Sequence, residues 1–240
     1  TEVENAEWDR IVMRFDKVCQ LGKERGVEIL IDAEESWMQD AADELVEFMM
    51  KRYNTLKPIV YNTLQLYRWD RLDYLKQIHE RALKSGYKLG FKIVRGAYME
   101  KERERAEKYG YASPICKNKE VTDTNFDQGL SYIIKNLSNI SLFVGTHNEK
   151  SSYLTMKLME SMNIKKDDNR VWFGQLYGMS DHISFNLADK GYNVAKYVPF
   201  GPVKDVMPYL IRRAEENTSV AGQTNRELNL LKSEKKRRRI

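Results

Sequence analysis

The chain has 240 residues, 42% hydrophobic and 31% charged, which suits one globular domain with a real core or at most two small ones. Its net charge of +5 resides in the last nine residues, "KSEKKRRRI"; the body before them carries equal numbers of acids and bases, which argues against a nucleic-acid groove. The apolar runs are too short to span a bilayer, and no basic start leads into an apolar segment, so neither a membrane span nor a signal peptide is expected.

A helical pattern covers 5–25. After it, short runs rich in β-branched and aromatic residues predict strands at 28–32, 58–63, 90–94, 141–146, 170–175 and 195–199. Helical stretches follow at 36–53, 68–85, 99–109 with 122–137, 148–163, 180–190 and 203–217. Six successive βα units predict a parallel sheet covered by helices. An open dinucleotide-binding sheet would carry GxGxxG after its first strand; the acidic turn "DAEES" stands there instead. Polar residues gather at the C-terminal ends of the strands: Asp32, Asn62, Arg95, Thr146 with His147, Gln175 and Tyr197. A (βα)8 barrel builds its site at that face. Six strands do not close an eight-stranded barrel, so two more are expected upstream in a longer protein. The expected organisation is a barrel domain over 1–231, partial at its N-terminus, and a basic tail over 232–240. The tail is expected to be solvated or to touch an anionic membrane surface.

Cys19 and Cys116 lie far apart and read as reduced thiols of an intracellular protein; with no CxxC and no HExxH, no metal site is expected. Lys92 sits inside the apolar run "FKIV", either at a strand edge reaching for water or facing an electron-rich ligand. "VGTHNE" reads as a helix start with Thr146 or Asn148 as N-cap, or as part of a site. In "YLIRRAEEN" the apolar stripe of Val203, Val206, Met207, Leu210 and Ile211 leaves Arg212 opposite and Arg213 at its edge. Pro208 is expected to kink this helix. Glu216 is placed to pair with either arginine. These arginines are either a solvated face or a fork for a carboxylate.

The ordered set "DAEE" (32–35), "VRGAY" (94–98), "THN" (146–148), "LYGM" (176–179), "KYVPFG" (196–201), "YLIRRAEEN" (209–217) and "TNRE" (224–227) resembles proline dehydrogenase, the flavin-dependent family that begins proline catabolism. The resemblance implies a distorted (βα)8 TIM-type barrel with FAD over the C-terminal strand ends and the last helix across the mouth. It implies oxidation of L-proline to Δ1-pyrroline-5-carboxylate, with electrons passed to a quinone. Arg212 and Arg213 match carboxylate ligands; Tyr98, Leu176 and Tyr197 match the proline ring pocket. Asp32 matches an acid near the flavin, and Lys92 a basic residue bonded to its ring. Gln65, Thr146, His147, Lys119 and Gln175 match cofactor contacts, and Glu216 orients the arginine pair beside the cofactor. The chain departs from the family at "FGQL", where Gly174 takes the usual glutamine place and Gln175 falls one residue late. The implied location is bacterial cytoplasm with peripheral inner-membrane contact, or the mitochondrial inner membrane. The competing readings are a hydroxyproline dehydrogenase, a flavin-free aldolase using Lys92 as a Schiff-base amine, and a non-enzymatic binding module.

Overall fold

The computed structural model describes residues 2–219 and 221–238, and all of their side chains but those of 2, 3, 215–227, 230 and 231. The chain forms two compact units, Thr1–Lys196 and Tyr197–Ile240. The first opens with α1 (Glu2–Arg25), β1 (Ile29–Leu30), α2 (Ser36–Tyr53), β2 (Val60–Gln65) and α3 (Arg71–Ser85). Next come β3 (Leu89–Val94), α4 (Met99–Tyr109), α5 (Lys119–Lys135), β4 (Ile140–Gly145) and α6 (Glu149–Ser161). β5 (Val171–Leu176), α7 (Asp181–Asp189) and β6 (Val194–Tyr197) follow, the last strand ending at the boundary between units.

The six strands lie in the sheet in chain order, and the paired strands from β1 to β5 are parallel. A doubly wound sheet reverses its order part-way; this one does not. Right-handed crossovers in one direction put successive helices on the same face, and the sheet curls into a half-barrel. The expected five-residue first strand shortens to Ile29–Leu30, although its ladder continues, Ile31 N donating to Tyr61 O at 2.9 Å.

Alternation along the strands separates two faces. Leu64, Phe91, Ile93, Leu142, Val144 and Phe173 are fully buried, or nearly so, in the core shared with the helices. Their neighbours line the opposite, interior face. Thr63 pairs with Lys92, Lys92 with Phe143, and Phe143 with Trp172, giving one interior row. Gln65 beside Val94 and Gly145 beside Gly174 belong to the next row, toward the strand ends. A Cβ on Gly174 would lie 2.0 Å from the Phe143 ring, so glycine there lets that ring cover the sheet. Asn62 turns the other way. It donates to Asp43 on α2 at 2.8 Å and so leaves the group of strand-end polar residues that could form a site.

The second unit holds α8 (Val203–Ser219) and α9 (Ala221–Arg238). α8 continues as a helix through Pro208. α9 takes in most of the segment expected to be a solvated arm. The reason is local: it is rich in good helix formers, and Glu234 accepts from Arg237 at 2.6 Å and Arg238 at 2.7 Å. Lys235 to Arg238 fill its last turn, where cations suit the negative end of the helix dipole. Among the described residues no helix is long and apolar enough to cross a membrane.

Candidate active site

Three adjacent strand ends converge on one carboxylate. Asp32, just past β1, accepts from Lys92 Nζ on β3 at 2.7 and 2.8 Å through its two oxygens. Thr63 on β2, between them, places its hydroxyl 2.6 Å from the same carboxylate. β3 has a strand on either side, so Lys92 is not an edge lysine reaching for water. Its side chain is only 20% exposed, and the carboxylate supplies the partner that makes an interior ammonium tolerable. Gln65, two residues on from Thr63, is fully buried and donates through Nε2 to Ala33 O. Its Oε1 is a buried acceptor with no hydrogen-bond partner among the described residues.

The loop after β1 is tied to α4. Glu35 accepts from Lys101 at 2.7 Å, and the buried Glu102 takes both Ser36 N and Ser36 Oγ at 2.6 Å. Glu102 thereby caps α2 while its own N–H donates to Tyr98 O at 2.9 Å. This fixes Tyr98, half-buried before α4, relative to the loop carrying Asp32. Gly96 beneath it has φ +127°, and a Cβ there would lie 2.4 Å from the Tyr67 ring. Any other residue would meet both the backbone and the steric obstacle.

Arg95 organises a second cluster. Its guanidinium lies over the Phe126 ring and donates to Asp123 at 2.7 Å, Thr146 Oγ1 at 3.1 Å and Ser151 Oγ at 3.0 Å. Lys119 donates to the other oxygen of Asp123. Burial works to raise the Asp123 carboxyl, but the hydrogen bonds from Lys119 and Arg95 outweigh it and hold it below its ordinary value. Lys119 and Thr146, expected apart as cofactor contacts, are thus joined through Arg95. Asn148 is the N-cap of α6, accepting from Ser151 N, and Thr146 Oγ1 accepts from Asn148 N at 3.1 Å.

Past β4 and β5 the side chains close a circuit. His147 Nδ1 lies 3.0 Å from Ser180 Oγ, Ser184 Oγ donates to Gln175 Oε1 at 2.8 Å, and Gln175 Nε2 donates to Thr146 O at 3.2 Å. Gln175 therefore points to α7, on the helix side. The register explains it: Gly174, not Gln175, shares the interior face with Gly145. Leu176 is half-buried at the end of β5, and its carbonyl lies 3.4 Å from Lys196 Nζ. The same ammonium binds Met179 O and Asp181, each at 2.7 Å.

In the second unit the Tyr197 and Tyr209 rings are 5.4 Å apart, and Arg213 lies 5.0 Å from the centre of the Tyr209 ring. Arg212 is exposed and Arg213 half-buried. The side chain of Glu216 lies outside the described residues. Sequence reasoning gave no role to Thr63, Asp123, Ser180 or Tyr209. Thr63 and Ser180 take partners from other strands or a separate turn. Asp123 and Tyr209 have an i,i+4 partner on their own helix but also a distant one, Arg95 and Tyr197, that no local spacing marks.

The profile of the proline dehydrogenase family matches residues 2–226. The chain belongs to the proline dehydrogenase family. It is 40% identical over 234 residues to the human protein "Proline dehydrogenase 1, mitochondrial", covering 96% of this chain and 39% of that one. It is 38% identical over 242 residues to a hydroxyproline dehydrogenase of Xenopus laevis, covering 99% of this chain and 52% of that protein. Among solved structures it resembles proline utilization A from Bdellovibrio bacteriovorus inactivated by N-propargylglycine. That match has a TM-score of 0.82 and 29% identity, over 90% of this chain and 22% of the other. The half-barrel is accordingly a partial, distorted (βα)8 barrel of this family. The chain spans about two fifths of the human and Dictyostelium discoideum relatives it matches.

Proposed function

We propose that this chain belongs to an FAD-dependent enzyme that oxidises L-proline to Δ1-pyrroline-5-carboxylate, the first step of proline catabolism. The observation that carries the reading is the Asp32–Thr63–Lys92 cluster beside buried Gln65, at the strand ends of a barrel of this family. The residues fit a flavin. Gln65 offers a buried acceptor, Lys92 a charged donor, and Val94, Gly145 and the Phe143 ring an apolar floor. Gln65, Lys92, Lys119, Thr146 and His147 would hold FAD. Gln175 would support Thr146 from behind. The chemistry supplied by bound FAD is acceptance of a hydride from the ring carbon beside proline's nitrogen.

The protein's own task is orientation. Arg212 and Arg213 present planar, forked donors that match a carboxylate, and Tyr98, Leu176 and Tyr197 line the ring. Asp32 balances the Lys92 charge near the flavin. An ammonium gripped by both Asp32 oxygens is a poor Schiff-base amine, which disfavours the aldolase reading. A quinone then takes the electrons, and the basic end of α9 meets an anionic membrane surface. The mitochondrial names of several eukaryotic relatives support a mitochondrial location if the source is eukaryotic, where the inner membrane is the proposed site; for a bacterial source the proposal is cytoplasm with inner-membrane contact. The test is proline-dependent reduction of an artificial dye by the purified full-length protein, together with its flavin absorbance. Activity with bound flavin is expected; a protein with neither overturns the reading.

A further inference from the structure

We propose that Ser180 is a positioning residue for His147, fixing the orientation of its ring; the inference rests on the reading of His147 as a cofactor contact. Ser180 precedes α7 and is 1% exposed. Its backbone lies in the left-handed region, φ 51° and ψ 42°, which side chains with a Cβ rarely adopt. A serine before a helix ordinarily lies in the extended region and caps the helix through its side chain. Ser180 does neither, and its side chain makes no cap bond. Its carbonyl starts the helix instead, accepting from Ile183 N at 3.0 Å and Ser184 N at 3.2 Å.

The hydroxyl meets His147 Nδ1 at 3.0 Å. A ring nitrogen held in this way is tied to one direction, whichever partner donates, because the serine hydroxyl both donates and accepts. The surroundings hold the geometry from both sides. Ser184, one turn into α7, bonds Gln175, and Gln175 bonds the carbonyl of Thr146, the residue before His147. Glycine would occupy this backbone without strain. Serine keeps an unfavourable backbone here because its hydroxyl serves the histidine, and strain of this kind collects at functional sites.

The test uses Ser180→Gly and Ser180→Ala in the full-length protein. FAD affinity is read by flavin fluorescence quenching, stability by melting before FAD is added, and the His147 ring by 15N chemical shifts. Ser180→Gly is expected to melt at the same or a higher temperature, yet to bind FAD about three- to tenfold more weakly. Its ring-nitrogen shifts move. Ser180→Ala, which keeps the strain but lacks the hydroxyl, loses similar affinity. Parent-like FAD affinity and ring shifts in Ser180→Gly overturn the proposal; so does loss of affinity in Ser180→Ala alone. If the parent protein binds no FAD, the cofactor reading fails by itself. The ring shifts then decide: movement in both variants supports positioning, and no movement overturns it.

Discussion

Lys92 shows how much one side chain depends on its neighbours. In the sequence it is a cation in an apolar run; in the fold it is half of a two-oxygen ion pair, with Thr63 bonded to the same carboxylate. The arginines are argued on the same terms. A carboxylate fork loses charge-assisted hydrogen bonds on truncation, each worth about 1.5–3 kcal/mol. Arg212→Met or Arg213→Met is therefore expected to raise KM for proline about tenfold or more while FAD stays bound. Steady-state kinetics with a flavin absorbance spectrum checks this, and unchanged KM in both variants would return them to a solvated face. Tyr197 presents a bulky ring tilted against that of Tyr209. Tyr197→Ser is expected to raise kcat/KM for hydroxyproline relative to proline severalfold, measured in paired assays; an unchanged ratio removes Tyr197 as the discriminator.

Between elements, buried polar pairs set how helices meet strands. Asp43 on α2 accepts from Arg71 on α3 at 2.7 and 2.9 Å and from Asn62 on β2 at 2.8 Å. The Arg71 and Asp43 side chains are 3% and 10% exposed, so removing one leaves the other charge uncompensated. Asp43→Ala is expected to destabilise the fold by about 3–5 kcal/mol, read from the denaturant midpoint. Element positions were legible in advance: α2 at 36–53 and α4 at 99–109 are where the sequence pattern put them. The candidate site was less so. Gln175 and Asn62 are both polar residues near the ends of strand runs, yet the register turns both toward helices, and a one-residue step in a strand reverses the face.

Acid sensitivity belongs to the whole molecule, since protons couple to global unfolding. Burial works to raise the Glu47 carboxyl, but hydrogen bonds from Arg81 and Lys51 overcome it and hold it at about 2, against an ordinary 4.5. Asp168 is likewise held low by Arg170. A carboxylate depressed in the folded state stabilises fully above its unfolded pKa and loses that contribution as pH falls through the folded one. Stability is expected to fall from about pH 4.5 toward 2. Glu47→Gln is expected to flatten that limb and to cost about 1–2 kcal/mol at neutral pH, both measurable by denaturation at a series of pH values.

The sequence by itself determined the βα alternation, the polar strand ends, the absence of a dinucleotide fingerprint and the ordered motifs of the family. These are local: periodicity and turn chemistry act over a few residues. Tertiary structure decided which polar side chains share a face and which partners they take. Asp32 and Lys92 are sixty positions apart, Arg95 and Thr146 fifty-one, and His147 and Ser180 thirty-three. Strand register and helix docking bring such pairs within 3.1 Å of each other, and no local pattern specifies those distances.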